Sequence, residues 1–115
     1  MAEIRVKRIY EDASPEDGRR VLVDRLWPRG VKKERIDEWA KDLAPSDELR
    51  REFHGRDFDF AEFEARYRSE LETRESEMMD LLESCEGTLT LLFASKNLDR
   101  NNATVLAAAL EDLET

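Results

Sequence analysis

The chain has 115 residues and a formal net charge of −9, and 41% of its residues are charged. That length suits one domain around one core and is short for two. The acid excess disfavours nucleic acid as a general partner, and no apolar run approaches the length that spans a bilayer, so a membrane is not expected either.

The start, MAEIRVKRIY, lacks the apolar stretch of a signal peptide, and Cys85 is the lone cysteine. A cytoplasmic location is the expectation, with no internal disulfide and no cysteine-based metal centre. Residues 4–9, IRVKRI, alternate apolar and basic, the pattern of a half-buried strand. SPEDG follows: Ser14 suits a cap, Pro15 the first helical position, and Gly18 the stop, which predicts one short helical turn. Residues 20–26, RVLVDRL, form the second predicted strand, and its unbroken apolar run asks for cover on both faces. WPRG ends it, since Pro28 holds Trp27 extended and Gly30 permits a turn.

Four helical patterns come next. KERIDEWAKDL spaces Ile36, Trp39, Ala40 and Leu43 by threes and fours; APSDELRREFH restarts behind a Ser46 cap with Leu49 and Phe53 one turn apart. DFDFAEFEARYRSELE aligns Phe60, Phe63, Tyr67 and Leu71, and residues 75–85 supply Met78, Leu81 and Leu82, with Cys85 read as a core or near-core thiol. TLTLLFAS is the third strand. After the loop KNLDRNN, the closing helix ATVLAAALEDL turns Val105, Leu106, Ala109, Leu110 and Leu113 inward, with Asn101 or Asn102 as its cap. The expected architecture is a small single-domain α/β fold over residues 1–115. Its three-stranded, mostly parallel sheet is covered by about five helices, and a long crossover joins the second strand to the third.

Charge is segmental. Residues 19–35 hold seven basic residues against two acidic ones, a net of +5; residues 57–86 hold eleven acidic residues against three arginines, a net of −8. The basic loop either attracts a small anion or lies beside the protein's own acidic helices. Ligands of open parallel sheets collect beyond the carboxyl ends of the strands. The second strand ends at Asp24, Arg25 and Trp27, and the third at Ser95, Lys96 and Asn97. If those strands are parallel, the two ends share an edge with the start of the last helix, whose free N–H groups favour phosphate or carboxylate. Arg25, Arg29 and Lys96 would add a clamp, because a guanidinium fork matches two oxygens.

The string RVLVDRLWPRGVKKERIDEWAKDLAPSDELRREFH, followed in order by FEARYRSEL and TLLFASKN…NNA, resembles the signature of the YeaO-like family, a bacterial and archaeal domain of unknown function. The resemblance covers nearly the whole chain, and DRLWPRG with LAPS is its most specific part. It implies a small single domain with no established activity. Some members carry a transcriptional-regulator label, but no helix-turn-helix with a basic recognition helix is visible in this chain. Two positions depart from the family pattern: Asn97 stands where an acid is common, and Asn102 where a histidine is. An amide hydrogen-bonds but is no base at neutral pH.

The candidate ligand-binding residues are therefore Arg25, Trp27, Arg29, Arg50, Lys96, Asn101 and Asn102, with Asp24 and His54 as candidate acid–base groups. For each a structural alternative stands beside the functional one. These are an ion pair for Asp24, core packing for Trp27, pairing with Asp47 or Glu48 for Arg50, and a helix C-terminal role for His54. No Walker loop, dinucleotide fingerprint or HExxH is present, and neither cofactor nor metal is expected. Three functions fit in decreasing order: binding of a small anion such as a nucleotide or phosphorylated metabolite, docking of an acidic protein partner on the basic loop, and regulation through DNA.

Overall fold

A computed structural model describes residues 3–53 and 59–114. Four strands, β1 (Glu3–Arg8), β2 (Arg19–Leu22), β3 (Glu38–Trp39) and β4 (Thr88–Phe93), form one sheet in the order β1-β4-β2-β3. Every pairing is parallel. Four α-helices accompany it: α1 (Asp47–Phe53), α2 (Phe60–Glu72), α3 (Glu75–Glu83) and α4 (Asn102–Glu114).

Central β4, TLTLLF, is buried from Leu89 to Phe93, as a strand with neighbours on both sides and cover on both faces must be. Leu89, Leu91 and Phe93 join Val21 and Val23 in the main core, which α2, α3 and α4 complete with Phe63, Tyr67, Leu71, Met78, Leu81, Val105, Leu106 and Leu110. The opposite face carries a smaller cluster of Ile9, Leu22, Val31 and Leu92, with Ile36 and Trp39 packed against it. Helices thus cover one face, and the irregular segments around Ile9 and Val31–Ile36 close the other.

Among the described residues the sheet has four strands where three are expected, and the fold has four α-helices where about five are. The difference lies in KERIDEWAKDL. Instead of one helix it forms a 3₁₀ turn (Lys33–Arg35), the two-residue β3 and a second 3₁₀ turn (Lys41–Leu43). The cause is non-local. Strand β2 has a free edge, and its Arg20 and Leu22 carbonyls accept from the amides of Asp37 and Ala40 at 2.8 Å each. Asp37 returns a carboxylate to the Arg20 amide at 2.8 Å. The apolar spacing that suits a helix is met here by an edge strand with a turn at each end.

Before β2, the expected turn is a 3₁₀ turn over Pro15–Asp17, with Ser14 accepting from the Glu16 amide. Gly18 ends it at φ +63, and a Cβ there would overlap the Thr88 carbonyl of β4, so only glycine lets the two segments touch. Asp17 is held by Lys7 (3.1 Å), Arg20 and the Ser14 amide (3.0 Å), which stitches β1, the turn and β2 together.

Candidate functional site

Strand β2 ends earlier than its apolar run, and the way it ends creates the site. The Val23 amide donates to the Leu92 carbonyl at 3.0 Å. In an uninterrupted parallel ladder the next bond would run from the Ala94 amide to the Val23 carbonyl. Here the Ala94 amide donates instead to Asp24 Oδ2 at 2.9 Å, and the Val23 carbonyl accepts from Asn102 Nδ2 at 2.9 Å. The same amide nitrogen donates to Asp24 Oδ1 at 3.1 Å. Two side chains therefore stand in for one ladder bond, and the central strands part into a cleft. Asn101 fixes the helix start behind it: Oδ1 accepts from the Thr104 amide at 3.0 Å and Nδ2 donates to the Asn97 carbonyl at 2.9 Å. Asn97 Oδ1 in turn accepts from the amides of Asp99 and Arg100.

A cavity of about 730 Å³ opens beyond these strand ends. It is lined by Asp24, Arg25, Trp27, Arg29, Arg50, Lys96, Asn101 and Asn102 together. His54 lies outside the described residues. Arg8, Tyr10, Pro45, Phe53 and Phe63 also line the cavity, and sequence reasoning did not select them. Arg8 and Tyr10 enter because β1 pairs with β4, a neighbour relation that local patterning does not reveal; the placement of Arg8 at the carboxyl end of the first predicted strand was the available signal. The Arg8 guanidinium donates to the Ser95 carbonyl at 2.9 Å and lies 5.0 Å over the Tyr10 ring, while the Tyr10 hydroxyl donates to the Arg29 carbonyl at 3.0 Å.

The charges differ in how far they are spoken for. Arg25 and Arg50 approach the same carboxylate oxygen of Asp47, at 3.5 and 3.8 Å, and the Nε of each is buried without a hydrogen-bond partner among the described residues. Pairs this long and half-exposed contribute little, about 0–1 kcal/mol. Arg29, Lys32, Lys33 and Lys96 have no carboxylate within ion-pair range among the described residues, whereas Arg19 pairs with Glu38 at 2.6 Å and Arg20 with Asp17. The basic loop is thus neutralised at its start and, among the described residues, open further on, with no ion pair to the acidic α2 and α3 helices.

Among the described residues Asp24 takes no ion pair despite the cations around it. Burial pushes its carboxyl up from the usual 3.8, against the opposing pull of the Asn102 and Ala94 donors. Trp27 is 36% exposed, so it is not a core residue; its indole N–H donates to the Val31 carbonyl at 2.9 Å across the turn that Gly30 makes at φ +77. Its ring meets Trp39 edge-on at 5.3 Å. Trp39, expected in the core, is half-buried at the sheet edge and donates to the Asp24 carbonyl at 2.8 Å. Tyr67 is fully buried with its hydroxyl on the Leu43 carbonyl, and burial raises that phenol well above its usual value.

Among the described residues no cluster of three metal-ligating side chains occurs, and no helix is long and apolar enough to cross a membrane. A family model described as the inactive DUF488-N3 subclade matches residues 3–115. The chain is 47% identical to the uncharacterised protein YeaO of Escherichia coli K12, over 96% of this chain and 98% of that one. It is 43% identical to the uncharacterised protein Rv3073c of Mycobacterium tuberculosis, over 93% and 92% of the two chains. No solved structure matches.

Proposed function

We propose, from the premise that the chain belongs to the YeaO-like family within the inactive DUF488-N3 subclade, that it binds a small anionic ligand at the carboxyl edge of its sheet without transforming it. The observation that carries this reading is the Arg25–Asp47–Arg50 group at a largely apolar cavity: two guanidinium groups share one distant carboxylate, and the Nε of each has no hydrogen-bond partner among the described residues. Burying such donors unmatched costs free energy that an incoming phosphate or carboxylate would recover. The cavity volume is in the range of small-molecule sites.

Binding is favoured over catalysis by Asn102. The family resemblance places a histidine there, one hydrogen bond from Asp24, where the two would form an acid–base pair. The amide still donates to Asp24, at 3.1 Å, and cannot carry a proton at neutral pH. The family's description as inactive favours binding independently of this position. The lone Cys85 fits a reducing cytoplasm.

A thermal-shift series with inorganic pyrophosphate, sugar phosphates and nucleotides tests the reading. A saturable rise in Tm that Arg25→Ala and Arg50→Ala each abolish is expected; ligand at 100 times its Kd stabilises by about 2.7 kcal/mol. No rise with any anion would refute it. A second reading, docking of an acidic protein segment, is favoured by one observation: Leu26 and Trp27 are exposed beside Arg29, Lys32 and Lys33, which have no carboxylate partner among the described residues. Capture of a partner that is lost on reversing those three charges, with no anion effect, would support it.

A further inference from the structure

The anion-binding reading, on which this inference rests, leaves Asp24 unexplained. A cavity meant only for an anion gains nothing from a carboxylate in its wall. The two protein donors to Asp24, one on each oxygen, occupy half of the roughly four acceptor positions a carboxylate offers. Among the described residues none of the surrounding arginines or lysines pairs with it, although Arg25 is its chain neighbour and turns to Asp47 instead. The group is partly buried, under-compensated and open to the cavity. It thus asks for a ligand that brings hydrogen-bond donors as well as negative charge. Trp27 and Phe53 also line the cavity, and their accessible ring surface suits an aromatic plane.

We propose that the ligand is a nucleotide whose base presents a lactam N–H edge, of the guanine kind, with Asp24 accepting from the ring N–H and exocyclic amine and with Arg25 and Arg50 receiving the phosphate. A carboxylate facing that edge forms two parallel hydrogen bonds. Facing adenine, it meets the lone pair of N1 and is repelled. Asn102 then acts as a positioning residue that aims the carboxylate, and the net charge of −9 favours a free mononucleotide over a polyanionic strand.

The test varies the ligand and leaves the protein intact. Isothermal titration with GMP, AMP, N1-methyl-GMP, glucose 6-phosphate and phosphoethanolamine separates the possibilities. Saturable binding of GMP, with AMP and N1-methyl-GMP weaker by about tenfold or more, is the expected result. Asp24→Asn, checked for folding by circular dichroism, should narrow the gap between GMP and AMP. Equal affinity for AMP, or for the ring-free phosphoethanolamine or glucose 6-phosphate, overturns the base assignment and leaves anion binding standing. No binding by any of the five overturns both.

Discussion

Asp17 stands just before β2 and Asp24 just after it, and the two carboxylates have been treated in opposite ways. Asp17 is 5% exposed and surrounded by donors: Lys7, Arg20 and the Ser14 amide. Burial alone would raise its carboxyl, but those partners outweigh it and hold it below the usual 3.8. Among the described residues Asp24 has two neutral donors and no cation partner, and its carboxyl is raised. Burial thus has a different meaning at each end of one strand. Before β2 it is compensated and serves the fold; after β2 it is left short, in a cavity with arginines directed elsewhere. A structure tolerates such a deficit where a ligand can make it good.

The sharpest way to break this contrast is Asp17→Ala. It takes the carboxylate from the buried Arg20 and the half-buried Lys7 and should destabilise by about 3–5 kcal/mol in urea unfolding. Asp24→Ala removes the acceptor of the Ala94 and Asn102 donors but also removes a desolvated charge, so its cost should fall at the low end of about 1–3 kcal/mol. Asn102→Ala frees the Val23 carbonyl and one Asp24 oxygen and should cost about 1 kcal/mol in the same measurement. Equal losses for Asp17→Ala and Asp24→Ala would show that the two carboxylates do the same work.

Acid titration of stability gives the smallest effect and the clearest sign. The folded-state value of Asp17 is depressed, so its contribution is complete above the ordinary 3.8 and is lost as pH falls through the lower folded value. The folded-state value of Asp24 is raised, so its ionised form weakens the fold at neutral pH, and that penalty is relieved as pH falls through the raised value toward 3.8. The stability gap between the native chain and Asp17→Ala should therefore shrink in acid, while the gap to Asp24→Ala should widen. Urea midpoints between pH 7 and about 3 would show gaps of the same slope if the contrast were absent.

Much of this frame was legible in the residues. The runs in β4 and α4, the Ser14 turn and the stripe through Phe63, Tyr67 and Leu71 are local patterns, and the structure follows them. So was the shared edge of β2 and β4, because a long crossover normally makes its strands parallel. What the sequence hid depends on partners far along the chain. Ile36, Trp39, Ala40 and Leu43 carry helical spacing, yet the free edge of β2 binds the Asp37 and Ala40 amides and so draws Glu38–Trp39 between them into a strand. Asp17 reads as an acid at a helix start, and nothing near it announces Lys7. Arg8 and Tyr10 join the cavity only once β1 is known to flank β4. The second role of Asn102, as substitute for a ladder bond, is set by where β2 and β4 part.

Backbone-amide chemical shifts followed by NMR during a titration with GMP test the central claim most directly. Saturating changes concentrated at Asp24, Arg25, Ala94 and Asn102, with Asp17 and Lys7 unmoved, are the predicted outcome. A site elsewhere contradicts it: changes confined to the exposed Arg29–Lys33 loop, or none at saturating concentration, would mean that the cleft beyond β2 and β4 holds no ligand of this class.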